Sequence, residues 1–346
     1  MKKILLTLGL LLFMAGCAGG QNQEVIHVFN WGYFVDQEVL NMFEEEYGIR
    51  VIYTTYESNE IMYNMVVMGG NVYDVIFPSD YMIYRMIAEG LLQRINFDNV
   101  PNIVHIDPQF MDLPFDPGNL YSAPYKWGTL GILYNTTLVS SVVDSWEALW
   151  NEDYAGMIFM YNSKRDALGA ALKKLGFSMN TTNEDELNQA VEILIQQGPL
   201  VRAYVTDQVM QLMIGGEGAL ALAYSGCAVF SISHNPDLNY VIPREGSNLW
   251  VDSMVIPHNA NNPRGAEAFI NFMLRPEIAA MNTNYVRYTT ANLTALESGL
   301  IDPDLMAING FFVTPEEYAR LEVFVDLGDF RDVYDRAFTT VLNSIN

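Results

Sequence analysis

In the stretch SNLWVDSMVIP, residues 247–257, Trp250 and Asp252 stand two residues apart. Side chains at that spacing on a strand share a face, so the pair presents a π-surface and two anionic oxygens to one space. That combination suits an organic ammonium ion. The carboxylate accepts charge-assisted N–H bonds, and the ring attracts the cation at about 0.5–2 kcal/mol per contact while packing its methylenes. A second reading pairs Asp252 with Arg244 or Arg264 and leaves Trp250 to packing. Similar aromatic residues recur at other strand ends: Trp31 and Phe34 after the first strand, Tyr81 after the third, Tyr224 before Ser225-Gly226, and Tyr288 before Thr289-Thr290. Singly, each ring is more often core than contact. Residues at the same end of parallel strands converge on one crevice, and that shared position singles these out.

The chain offers no catalytic constellation. Its four histidines, His27, His105, His234 and His258, have no helical metal spacing to one another or to a glutamate. No nucleophile elbow, phosphate-binding loop or kinase signature is present, and GGEG at 215–218 reads as a turn. Cys227 reads as a buried free thiol behaving as a small hydrophobe. With Cys17 its only companion, a disulfide within the mature chain is excluded if Cys17 is modified as described below.

The elements that must hold these residues follow from periodicity. VIHVFNW from Val25 is a strand, residues 34–47 carry helical spacing with Gly48 as the stop, and IRVIYTTYES is the next strand. Ser58 or Asn59 caps a helix to Met68, YDVIFPS is a third strand, and a helix runs over residues 81–89. A second series places strands at 129–135, 156–162 and 218–225. Its helices are expected at 145–150, 166–175, 183–197 and 205–214. Two βαβ series separated by Pro-rich crossings predict an α/β protein with two lobes joined at a hinge. A chain of 346 residues, half of them hydrophobic, can fill two such cores.

Lys2-Lys3, the apolar run 4–14 and the small pair Ala15-Gly16 before Cys17 form a secretory signal that also resembles a bacterial lipobox. Residues 1–16 are expected to be removed, Cys17 to carry lipid, and 17–23 to serve as a tether. Loss of the two leader lysines takes the net charge from −23 to −25, which excludes charge-driven binding of nucleic acid or anionic lipid.

Beyond single residues, the chain resembles the spermidine/putrescine-binding proteins of bacterial ABC importers. The resemblance rests on FNW at 29–31, VIYTTYESNE at 51–60, YDVIFPSDY at 73–81 and PFDPGNLYSAPYKWG at 114–128. It continues through LKKLGFSMNTT at 172–182, LWVDSMVIP at 249–257 and FINFMLRP at 269–276, and covers nearly all of the mature chain. It implies a type II periplasmic-binding-protein fold, each lobe a mixed, mostly parallel sheet flanked by helices, with the ligand cleft at the hinge. The lobes are expected at 24–128 with 254–302, and at 129–253 with 303–346. Trp31, Tyr81, Trp250 and Tyr288 match the aromatic box, Tyr224 stands where Trp is common, Ser79 matches a cleft serine, Asp252 the amine-gripping carboxylate, and Asp166 replaces a Glu.

Four departures accompany these matches. Ser163 stands where some relatives carry Asp, Tyr33 replaces the acid for the far amine, Phe34 lacks the usual phenol, and Phe324 replaces a polar residue. Asp80, with Glu57 second, is expected to serve the far amine, and groups around Ser79 and Ser225 to complete the ammonium's bonds. The resemblance further implies a lipid-anchored, extracytoplasmic protein that closes on a polyamine without altering it and delivers it to permease subunits, with no cofactor or metal. The rivals are a binding protein of this fold for another cationic solute or an amino acid, or an enzyme or surface adhesin on the same scaffold.

Overall fold

The computed structural model describes residues 23–69 and 72–345; the leader, Cys17 and most of the tether lie outside these residues. The first βαβ series folds as its periodicity predicts. Strand β1 (Val25–Trp31) leads into helix α1 (Gln37–Tyr47), which ends at Gly48 with φ 69°, in the left-handed region where glycine costs least. Strand β2 (Arg50–Tyr56) leads into α2 (Asn59–Met68), whose Ile61 amide bonds the Ser58 hydroxyl at 3.2 Å. Strand β3 (Val75–Ile76) then leads into α3 (Asp80–Ala88). After the short β4 (Leu92–Gln93), the chain enters β5 (Ser122–Asn135), the longest strand described.

The second series comprises β6 (Ile158–Tyr161), α4 (Lys164–Lys174), α5 (Glu184–Gln197), β7 (Val201–Val205), α6 (Gln208–Ile214), β8 (Leu220–Tyr224), α7 (Ser225–His234) and β9 (Leu238–Val241). Strand β10 (Ser247–Pro257) returns to the first half, followed by α8 (Pro263–Met273), α9 (Pro276–Val286), β11 (Thr289–Thr290), β12 (Leu321–Val323) and a C-terminal helix Arg331–Ile345. Two expectations shift. The helix predicted from 205 begins at Gln208 because residues 201–205 pair in parallel with β6. The strand predicted from 129 starts at Ser122.

One sheet runs through the molecule in the order β2-β1-β3-β10-β5-β8-β6-β7. Its two ends are parallel, β1 with β2 and β3, β6 with β7 and β8, and the middle is antiparallel through β10 and β5. Two buried cores flank that middle. The first gathers Ile26, Phe43, Ile76, Trp127, Val251 and Phe269, and the second Leu130, Phe159, Leu168, Leu222 and Tyr334. Strand β5 passes from one core to the other between Trp127 and Leu130, so it links the two. On β10 the first core already begins at Leu249, ahead of the boundary expected at 254.

Candidate functional site

The site is assembled at the carboxyl ends of the parallel strands, where the two cores face each other. From the first lobe, Trp31 closes β1. Its Nε1 donates to the Phe77 carbonyl at 2.8 Å and its ring lies 4.6 Å from that of Tyr56, which fixes the indole. Ser79 precedes α3; its amide donates to Asn59 Oδ1 at 3.1 Å and its hydroxyl accepts from Asn59 Nδ2 at 3.0 Å. Tyr81, two residues on, takes a bond of 3.1 Å from the same Asn59 amide. From the second lobe come Tyr224 at the end of β8 and Asp166 in the first turn of α4, joined by a 2.6 Å bond from the Tyr224 hydroxyl to Asp166 Oδ2.

Aromatic rings join the halves edge to face. Trp250 lies 5.2 Å from Tyr288 and 6.1 Å from Tyr224, Tyr224 lies 4.8 Å from Tyr161, and Tyr288 lies 5.8 Å from Phe34. The Tyr288 hydroxyl meets Cys227 Sγ at 3.2 Å, and burial pushes that thiol up to about 12, which keeps it protonated and non-nucleophilic. Phe34 belongs to the first core and reaches the set through Tyr288.

The carboxylates decide what this wall can do. Asp252 is 5 % exposed and its Oδ1 has no protein partner; Asp166 is 2 % exposed and its Oδ1 is likewise unpartnered. The buried Trp250 Nε1 is a third such atom. Unpaired buried polar groups are costly, so the two carboxylate oxygens left open around one set of rings point to a ligand carrying hydrogen-bond donors and positive charge, while the indole N–H, itself a donor, calls for an acceptor. Burial holds Asp252 well above the usual carboxylate range, opposed by a hydrogen bond with Ser79 and reinforced by the charge of Asp80. Burial likewise raises Asp166, opposed by hydrogen bonds with Ser163 and Tyr224. The alternative arginine partners for Asp252 are not engaged with it: Arg244 bonds Asp144 at 2.6 Å, and among the described residues no Lys or Arg forms an ion pair with Asp252 or Asp166.

Asp80, expected to serve a far amine, has a different place. It is fully buried, with Oδ1 accepting the Tyr81 amide at 2.7 Å and Oδ2 the Val251 amide at 3.1 Å. Its pKa rises to about 7, with burial the largest cause. Both oxygens are thereby committed to fastening α3 onto β10, between Trp250 and Asp252. Ser225 is similarly engaged, accepting the Thr129 amide at 3.2 Å.

Phe324 is buried under the Arg165 guanidinium, 4.2 Å from its ring centroid, and Arg165 donates to the Val325 carbonyl and to Asn180. A cavity of about 330 Å³ lies beside the rings, lined by Tyr81, Arg165, Glu60, Lys164 and Asp335 among others. There Lys164 bridges Glu60 of the first lobe at 3.5 Å and Asp335 of the second at 2.5 Å. Two residues of the site are not singled out by the sequence: Tyr161, although it too is an aromatic at a strand end, and Asn59, whose sequence position suggests only a helix cap.

The model of the family described as bacterial extracellular solute-binding protein matches residues 38–307. The chain is 34% identical over 336 residues to the spermidine/putrescine-binding periplasmic protein of Escherichia coli K12, covering 96% of each. It is 31% identical to a putrescine-binding periplasmic protein of Pseudomonas aeruginosa, covering 94% of this chain and 93% of that one. Among solved structures, a putative spermidine/putrescine ABC transporter from Listeria monocytogenes superposes with TM-score 0.88 at 41% identity, over 92% of this chain and 98% of that one. The spermidine/putrescine substrate-binding protein of Streptococcus pneumoniae does so at 0.83 and 38%, over 93% and 100%.

Proposed function

The chain belongs to the bacterial extracellular solute-binding proteins, and from that premise we propose that it captures spermidine or putrescine between its lobes and hands it, unaltered, to an ABC importer. The observation that carries the reading is the pair of buried, unpartnered carboxylate oxygens on Asp252 and Asp166, set among rings from both lobes. Two acids with which no Lys or Arg among the described residues forms an ion pair match two protonated amines, and the rings between them match the methylenes. Trp31, Ser79 and Tyr81 wall the first-lobe side; Phe34 supports Tyr288 from behind.

A zwitterionic amino acid fits this site less well. Its carboxylate would lie among Asp252, Asp166 and Asp80, whose like charges repel it. Closure follows from the location of the contacts, since a ligand touching both lobes favours the state in which both are within reach. Permease subunits as partner and lipid on Cys17 as anchor complete the proposal, retention needing more than one acyl chain.

A melting-temperature series tests it. Ligand at a hundredfold excess over Kd stabilises by about 2.7 kcal/mol, so spermidine or putrescine is expected to raise the transition clearly while betaine and neutral amino acids do not. The shift is also expected to grow from about pH 5 to about pH 8. Carboxyls raised in the folded state contribute stability at low pH and lose it as pH rises through their folded values, while a bound ammonium lowers those values and restores the loss. No shift with any polyamine at either pH overturns the reading.

A further inference from the structure

Lys126 is fully buried on β5, and among the described residues no acid forms an ion pair with it. The sheet register places it beneath the aromatic wall. Gly128 stands opposite Trp250 and Lys126 opposite Asp252, and residues opposed in this way share a face of the sheet. A β-carbon at Gly128 would stand 2.6 Å from Trp250 Cζ2, so the indole lies over that bare position and Lys126 is the next residue along the same face. From there its amine reaches the segment that carries Tyr288. Nζ donates to Thr283 Oγ1 of α9 at 2.7 Å and, more loosely, to the Tyr288 carbonyl at 3.5 Å. The Thr283 hydroxyl in turn donates to the Ala279 carbonyl at 2.7 Å, which fixes its lone pairs toward Lys126.

Between those two anchors the chain turns under strain. Arg287 ends α9 with φ 68°, in the left-handed region that a β-carbon disfavours, and its amide bonds the Thr283 carbonyl at 2.9 Å. Tyr288 follows directly, so a slack turn here would move its ring. Resting on the polyamine reading above, we infer that Lys126 is a positioning residue of the binding site, whose amine ties Thr283 and Tyr288 to β5 and thereby sets the Tyr288 ring against Trp250. The amine acts as an uncharged donor. A charged one would stand across from Asp252 and compete with the ligand's ammonium for that carboxylate. The other groups facing it bring no charge: Tyr125, whose ring centroid lies 5.3 Å from Nζ, Thr283 from α9 and Thr290, opposite it on β11. Burial accordingly holds the amine well below the ordinary lysine range.

Titration calorimetry and melting curves of the mature chain test this. Lys126→Met, similar in shape but without a donor, is expected to weaken spermidine and putrescine binding alike by about three- to tenfold, the range for one or two lost hydrogen bonds. Without ligand the same variant should melt higher than the wild type. The gain should be larger at about pH 6 than at about pH 9, because folding no longer strips a proton from an amine that the unfolded chain keeps charged. Thr283→Val removes the acceptor and should reproduce the affinity loss, whereas Thr283→Ser should restore most of it. Combining Lys126→Met with Thr283→Val should cost little more than either alone, since both break one tether. Lys126→Met affinity within about twofold of wild type, losses that add in the double variant, or a Lys126→Met protein that melts lower than wild type at both pH values overturns the inference and leaves the polyamine reading standing. Wild-type protein that binds neither ligand overturns both.

Discussion

Asp252→Ala is expected to weaken binding of spermidine and of putrescine by more than tenfold, on the order of 2–5 kcal/mol, because it removes one member of a charge pair shielded from water. The geometry makes the loss hard to compensate. Asp252 lies in the middle of β10, beside the β-bulge that follows it, and its neighbours are fixed: Val251 by Asp80, and Ser253 through a 3.1 Å bond from its amide to the Pro78 carbonyl. Asp80 cannot swing into the gap without abandoning two backbone amides.

A folding defect would look different. The carboxyl at 252 is held far above its ordinary value by burial, so the ligand-free protein gains from its removal at neutral pH. The variant should melt at the same temperature as the wild type or higher. Asp252→Asn, which keeps the shape and the Ser79 contact, should lose affinity to a similar extent. A loss below threefold in calorimetry, in protein that melts normally, would remove Asp252 from the site.

How far the sequence could have led to this site depends on which kind of information each residue needed. Alternation and caps are local, and Ser58, Gly48, the strand ends bearing Trp31 and Tyr224, and the helix start bearing Tyr81 were legible from them. The start of β5 was not, because SAPYKWG contains Pro124, which reads as a loop residue. In the fold Pro124 lies opposite Ser253, where the β-bulge removes the demand for a ladder donor. Only the partner strand reveals that. The role of Asp80 was equally hidden: one residue from a matched serine and beside a matched tyrosine, it looks like a ligand acid until the Val251 amide arrives from 171 positions away.

Gly226→Ala is expected to cost more than tenfold in affinity without lowering the melting temperature of the ligand-free protein. Gly226 lies at the second position of α7, among residues of the second core, and a β-carbon there would stand 2.1 Å from Tyr288 Cδ1 and 2.2 Å from Cε1. Tyr288 belongs to the first lobe, carried between α9 and β11, so the bare Cα is what allows the two lobes to meet at this ring. The ring has little freedom to yield, with Trp250 at 5.2 Å, Phe34 at 5.8 Å and Cys227 on its hydroxyl. A methyl group therefore either holds the lobes apart or drives Tyr288 out of contact with Trp250, and each outcome degrades the aromatic wall. Within the lobe that carries it, alanine suits a helix better than glycine by about 0.5–1 kcal/mol, so an open, ligand-free molecule is not penalised. Loss of polyamine affinity with an unchanged or raised melting temperature, and small-angle scattering that stays extended when ligand is added, is the expected pattern. Affinity within threefold of wild type would mean that the ring contact seen between Gly226 and Tyr288 does not govern closure.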